Sequence, residues 1–339
     1  MIQRLSVAAQ RAVEDSTRSE DVEPQLEEHR RELTGYCYRM LGSAFDAEDA
    51  VQETLVRAWR AQDRFEGRSA VRSWLYRIAT NVCLDMLNGR NRRALPMDLS
   101  PTASPPVVAS LGAPLAETAW VGPIPDAHVL PDNADPAELA VERETIRLAF
   151  VAALQHLPAR QRAVLILREV LRWKADEVAE LLDTTVASVN SALQRARATM
   201  VASGLADEAP ADPVDEEHRA LLARYVDAFE RYDIESLVAV LHEDATQSMP
   251  PYEMWVQGAE NIVAWMVGPG AGCAGSRLLP VMVNGSPGVA QYRASGPGGR
   301  HEPWSIHVVD VSGGRVVQLT QFLEPRLFPL FGLPMTLGG

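Results

Sequence analysis

The sequence predicts a multidomain chain, two all-α domains followed by an α+β domain, and three observations carry that prediction. Apolar residues recur at helical spacing through 24–94 and again through 138–204. Between these stretches lies an acidic, Pro-rich segment, 95–137, without such a period. After a break at 205–214, residues 215–339 begin with helical spacing and change to short runs of strand period.

Composition narrows the function classes. A chain of 339 residues with 47% hydrophobic content has room for two or three proper cores. Its start lacks a continuous apolar run, and no later run is long enough to span a bilayer, so neither export nor membrane insertion is expected. Cys37, Cys83 and Cys273 are far apart and odd in number, which fits neither a disulfide framework nor a zinc cluster and points to a reduced, cytoplasmic compartment. The formal net charge of -13 is unevenly spread: 24–94 and 157–206 are each +2, whereas 95–156 is -6 and the chain after 206 is -9. Phosphate neutralisation is thus confined to two mildly basic helical segments, which need a larger partner to hold nucleic acid tightly.

Taken in order, residues 1–23 read as a flexible leader. A first helix carries Leu33, Tyr36, Cys37, Met40 and Leu41 inward. The next is expected to be capped by Asp46 and to bury Ala47, Ala50, Val51, Thr54, Leu55, Ala58 and Trp59, leaving Glu48, Asp49, Gln52 and Glu53 outward. A loop with Arg64, Phe65 and Arg68 leads to a helix with Trp74, Ile78, Val82 and Met86 inward and Arg77, Asn81 and Asp85 on one outward line. Cations beside aromatic and amide groups suit a base lifted out of its stack.

In 157–200 three short helices follow, the last starting after an N-cap at Thr185 and burying Val189, Leu193, Ala196 and Met200. Its other faces carry Ser188, Asn190, Ser191, Gln194, Arg195 and Arg197, the side-chain types that reach base edges and phosphates from a helix in a major groove. Asp183 falls at the turn, where it tolerates the left-handed conformation.

DAEDAVQETLVRAW (46–59), RFEGRSAVRSWLYRIATNVCLD (64–85) and the helix-turn-helix ending NSALQRAR (190–197) together resemble the extracytoplasmic-function (ECF) group of sigma-70 factors. The resemblance implies a region 2 helical bundle at 24–94, a region 4 helix-turn-helix at 138–204, and two partners, RNA polymerase core and promoter DNA. It implies that Asp46, Glu48, Asp49, Gln52 and Glu53 dock on the beta-prime clamp, with a further contact to the beta flap. Arg64, Phe65, Arg68, Trp74, Arg77 and Asn81 would melt and read the minus-10 element. Ser188, Asn190, Ser191, Gln194, Arg195 and Arg197 would read the minus-35 element as duplex. The acidic linker, with TAWVGPIPD (118–126) at its centre, would thread the basic channel of polymerase.

The C-terminal 125 residues offer helices around Leu221 to Phe229, Leu237 to Leu241 and Ile262 to Met266, then strands at 281–283, 289–292, 304–311 and 315–322 with a hairpin at 312–314. With HEDAT (242–246) and MPPYEMWVQG (249–258) between, this resembles the SnoaL or NTF2-like fold, an α+β cone. Met249, Trp255, Trp265, Tyr292, Trp304 and His307 are expected to line the cone, where an unknown small ligand would sit. His242, Asp244, His307 and Glu324 are the acid–base groups at hand, but they form no catalytic motif, so no enzyme, cofactor or metal site is expected. The expected function is a sigma factor modulated in cis by its C-terminal domain. The rival is a ligand-sensing helix-turn-helix repressor, or a SnoaL-type enzyme fused to a DNA-binding module.

Overall fold

The computed structural model describes residues 26–62, 70–132, 135–202 and 216–338. Helices α1 (Arg30–Leu41), α2 (Ala44–Ala61) and α3 (Val71–Leu87) form the first bundle. Its centre is aromatic: Tyr36, Tyr38 and Tyr76 are fully buried, and Tyr36 and Tyr76 meet edge to face at 5.2 Å. The N-cap of α2 is Ser43, whose Oγ accepts from Asp46 N at 3.3 Å, and not Asp46 as the sequence suggested. Asp46 is drawn away because its Oδ2 accepts from Arg90 and Arg93, both at 2.8 Å.

The second helical unit contains α4 (Pro136–Glu144), α5 (Leu148–Gln155), α6 (Ala159–Leu165) continuing into one wide turn at Ile166–Val170, α7 (Ala175–Leu181) and α8 (Val186–Ala202). Thr185 caps α8 as expected, its Oγ1 accepting from Ser188 N at 3.1 Å. Asp183 takes the left-handed turn with φ 48°. Val189, Leu193 and Ala196 form the buried stripe of α8.

In the C-terminal unit α9 (Glu216–Glu230), α10 (Ile234–Val240) and α11 (Ala259–Val267) cover one face of a six-stranded sheet. Its strands are β1 (Leu241–Ser248), β2 (Trp255–Gln257), β3 (Arg277–Val283), β4 (Ser286–Arg293), β5 (Glu302–Ser312) and β6 (Arg315–Phe322), in the order β2-β1-β6-β5-β4-β3. Only β1 and β6 pair in parallel. β1 and β2 were not foreseen: HEDAT and the Trp255 stretch lack the β-branched runs that mark the later strands.

The sheet separates two cores. Val289, Val309, Val311, Val316 and Leu319 face the unit's own helices. Ala290, Tyr292, Ile306, Val308 and Phe322 face the other way and join one apolar cluster with both helical units and with a short C-terminal helix, α12 (Leu327–Leu330). The linker belongs to this second cluster. Trp120, Val121, Ile124, Val129 and Leu130 are buried, so 95–132 is wedged between the units and does not hang free as a tether would.

Candidate nucleic-acid interface

The outward face of α8 is as expected: Ser188, Asn190, Ser191, Gln194, Arg195 and Arg197 are all exposed. Arg197 is engaged within its own unit, its Nε donating to Glu169 Oε1 at 3.0 Å. Both partners are well hydrated, so DNA can exchange for this pair at little expense.

The α3 surface is differently placed. Arg77 and Asn81 are exposed and Trp74 half-buried, while Arg64, Phe65 and Arg68 lie outside the described residues. The Arg77 Nη2 donates to Glu180 O at 3.3 Å and lies 3.4 Å from Glu180 Oε1, so α7 of the second unit sits beside this line of readers. At the preceding residue the contact is aromatic. Trp173 packs on Tyr76 at 5.1 Å, and the Arg72 guanidinium lies over both rings, at 5.2 Å from Tyr76 and 5.5 Å from Trp173.

On α2, Glu48, Asp49 and Gln52 are exposed and Glu53 half-buried, forming one acidic strip. Glu53 accepts from Arg57 Nε at 2.7 Å and Glu48 lies 3.5 Å from His128. Asp46 is held at the base of this strip by Arg90 and Arg93.

Buried polar groups hold the units together. Arg39 of α1 donates to Thr145 Oγ1 at 2.6 Å and to Glu142 Oε2 at 2.9 Å; it is fully enclosed, and burial lowers its pKa. Arg162 of α6 donates to Met40 O of α1 and to Gln155 Oε1, and burial brings it down to about 10. From the C-terminal unit, Asp310 accepts from Arg147 Nη2 at 2.8 Å.

The joint of the three units is a residue that the sequence reading passed over. Asn284 and Gly285 form the two-residue turn between β3 and β4, with φ 53° and 76° and Val283 paired to Ser286. The Asn284 side chain is buried, and its Nδ2 donates to Tyr38 OH of α1 at 2.5 Å and to Ile146 O at 2.7 Å. Its Oδ1 accepts from Ile124 N of the linker at 3.0 Å, and its own N–H donates back to Ile124 O at 3.0 Å. One amide thus ties first unit, linker, second unit and C-terminal sheet. Gly285 completes the fit: a Cβ there would meet Arg143 O at 2.7 Å, so this position needs glycine for space as well as for its positive φ. An Asn-Gly pair flanked by alternating apolar residues was the signal available in the sequence.

Next to it, Asp126 Oδ1 accepts from Gly285 N at 2.8 Å while Oδ2 is buried without a partner among the described residues. Burial pushes its pKa up to about 6, against the opposing pull of the Gly285 N–H and of Arg143. A carboxyl raised this far above its ordinary 3.8 stays protonated in the packed chain where an opened chain has released the proton. Stability of the joint therefore falls as pH rises from about 4 through 6, by about 3 kcal/mol in all. Asp126→Asn keeps an acceptor for Gly285 N and cannot ionise. Its thermal midpoint is expected to exceed that of the parent chain at pH 7.5 and to match it at pH 4.

The residues expected to line the cone do not gather in one place. Met249 and Trp265 lie in the core between sheet and helices. On β2 it is Val256 that joins this core, while Trp255 donates through Nε1 to Ser100 O of the linker at 2.8 Å. Tyr292 points to the opposite face, where it packs on Phe328 at 4.9 Å. Trp304 carries the Arg293 guanidinium over its ring at 4.1 Å. His307 is enclosed on the helix side, with Nε2 3.0 Å from Gln291 Oε1 and Nδ1 3.2 Å from Tyr225 OH. An acceptor at Nε2 and a hydroxyl at Nδ1 fit a neutral imidazole, and burial lowers its pKa to about 3. Sheet parity caused the miss, since residues of odd spacing along β4 and β5 face opposite ways.

Comparison with known proteins places this geometry. Residues 26–93 match Sigma-70 region 2, residues 147–200 match Sigma-70 region 4, and residues 222–319 match the SnoaL-like domain. The chain is 47% identical over 322 residues to the ECF RNA polymerase sigma factor SigG of Mycobacterium tuberculosis, covering 94% of this chain and 85% of that one. The chain belongs to the ECF sigma factors. It is also 28% identical over 323 residues to SigJ of the same species, covering 90% of this chain and 92% of SigJ. The crystal structure of the M. tuberculosis SigJ superposes with a TM-score of 0.58 at 24% identity, covering 92% of this chain and 99% of that one, and shares the order of two helical units and an α+β unit. As a sigma factor the chain partners RNA polymerase core and promoter DNA and directs transcription initiation; it is not an enzyme, and the repressor alternative is not favoured. Among the described residues no helix is long and apolar enough to cross a membrane.

Proposed function

We propose that this conformation is the resting form of the sigma factor, off polymerase, in which the C-terminal domain holds regions 2 and 4 against each other. In this reading region 2 occupies 24–94, the linker 95–137, region 4 138–204, and the regulatory domain 215–339. Glu48, Asp49, Gln52 and Glu53 meet the beta-prime clamp, region 4 meets the beta flap, the α3 surface with Arg64, Phe65 and Arg68 takes the minus-10 strand, and the outward face of α8 takes the minus-35 duplex. Asp46, already neutralised by two arginines, acts as a support for that strip.

The observation that carries the reading is the contact of Arg77 with Glu180. The minus-10 and minus-35 elements are separated by about 25 base pairs, roughly 85 Å of duplex at about 3.4 Å per step. Regions that touch through side chains cannot engage both at once. The linker can supply the reach, since its ~40 residues extend to more than about 100 Å, but only after Trp120, Ile124 and Leu130 leave their buried sites. Binding to polymerase must therefore offset the loss of this packing, and any change that weakens the packing raises output.

Run-off transcription on a genomic promoter library, with bacterial core polymerase, tests the assignment. The expected result is a set of start sites sharing two upstream elements. Silence from a polymerase that is competent with another sigma factor would overturn it.

A further inference from the structure

A cleft of about 210 Å³ opens where three segments remote in sequence meet: the start of α2, the linker, and the end of the C-terminal sheet. Its walls are Phe45, Leu115, Trp120, Pro250, Pro251 and Phe322. The segments are fastened around it by the backbone, with Gly122 N donating to Gly42 O, Leu115 N to Pro251 O and Leu323 N to Pro250 O, each at 2.8 Å. Protein interiors leave few voids larger than a water molecule, and an apolar cavity of about 150 Å³ takes up benzene. A larger space walled by aromatic rings and prolines, where three segments meet, is a site with an unfilled apolar demand.

Charge sets the class of occupant. Glu117, Glu324 and Arg326 also line the cleft, but each carboxylate is paired: Arg93, shared with Asp46, lies 3.1 Å from Glu117, and Arg326 donates to Glu324 Oε1 at 3.0 Å. Ser43 Oγ is used as well, donating to Glu117 Oε1 and accepting from Asp46 N. Arg326 and Glu324 satisfy each other, an anion would meet two carboxylates, and a donor left unpaired in the wall, among the described residues, is the neutral Trp120 Nε1–H. The geometry points to a binding site for an uncharged aromatic molecule of one or two rings, acting as a corepressor of this sigma factor. Because region 2, linker and C-terminal domain each supply part of the wall, the site exists only in the closed arrangement, so its ligand stabilises that arrangement by linkage. The inference rests on the closed reading proposed above and deepens it.

Indole and quinoline are suitable uncharged probes, and indole-3-carboxylate is the charged control. Titration calorimetry on the full chain is expected to give one site for indole and at least tenfold weaker binding of the carboxylate. Indole at nine times its Kd lowers the open population about tenfold, with a matching fall in run-off transcription. Gly122 lines the cleft outside the positive-φ region, and a Cβ built on it meets nothing within 4 Å, so Gly122→Leu fills the space and is expected to weaken indole binding at least tenfold. Gly122→Ala adds a single methyl and is expected to give a smaller loss, should the larger side chain disturb folding. Small-angle scattering on the same samples separates the two readings. Absence of indole binding by a chain with the compact radius of about 20 Å overturns the site alone. Absence of binding by an expanded chain overturns the closed reading and the site with it. Binding that survives Gly122→Leu, or that does not distinguish the carboxylate, also overturns the site.

Discussion

Asn284→Ala is expected to open the closed arrangement and to raise transcription from limiting sigma factor by one to two orders of magnitude. The substitution removes both donors to Tyr38 OH and Ile146 O and the acceptor for Ile124 N, at a site that water does not reach. A buried polar group left without its partner costs about 1–3 kcal/mol. Tyr38 OH keeps its bond to Gly122 O, so two such groups, Ile146 O and Ile124 N, are orphaned within one joint, and a net loss of about 3 kcal/mol sets the scale, a factor of about 100 in the ratio of open to closed chains. Hydrogen exchange at the α3 amides facing Trp173 should rise by the same factor, because region 4 covers that helix only while the joint holds. Gly285→Ala reaches the same end by another route, through a strained φ and a clash with Arg143, and should give the same phenotype. Unchanged exchange in both variants, with unchanged transcription, would sink the idea that this hairpin is the latch.

The helical units were legible in the sequence because their information is local. The exception is Trp59, which stands on the apolar stripe of α2 by spacing but is 51% exposed near the helix end. The stripe of Val189, Leu193 and Ala196, the Thr185 cap and the left-handed Asp183 are each decided within a turn or two of helix. What failed was whatever depended on a partner far along the chain. Asp46 stands at a helix start, where the sequence alone favours a cap, but Arg90 and Arg93 hold its carboxylate and the cap is Ser43. The linker reads as a tether by composition, and it is buried because two domains and a sheet present apolar surface to Trp120 and Ile124 together. The cone suffered from a one-residue ambiguity: Tyr292 and His307 both look like lining, and only the register of β4 on β5, with Val289 opposite His307, shows that they face apart. Asn284-Gly285 has the composition of a tight turn, though it is not among the turns expected from the sequence above, and nothing in one sequence says that a turn points at another domain.

Charge reversal of the α2 strip should have the largest effect on function and almost none on fold. Asp49→Lys with Glu53→Lys is expected to abolish detectable binding to core polymerase, a loss of at least 100-fold, and with it run-off transcription. Neither residue is part of the joint. Asp49 is exposed, and among the described residues Glu53 has a surface pair with Arg57, which is worth at most about 1 kcal/mol. Both lie beyond the first turn of α2, where the helix dipole has little hold on them. The thermal midpoint should therefore stay within a few degrees of the parent chain, and the small-angle scattering profile should not change. Opposed charges across a docking surface are different, since two attractive contacts become repulsive at once, and the salt dependence of the residual binding should weaken or change sign. The double variant also separates surfaces within the chain: a duplex carrying the minus-35 element alone should still bind through α8, whose readers remain exposed whether the chain is closed or open. Loss of that duplex binding along with polymerase binding would mean that the strip supports the fold, and the docking assignment would fall.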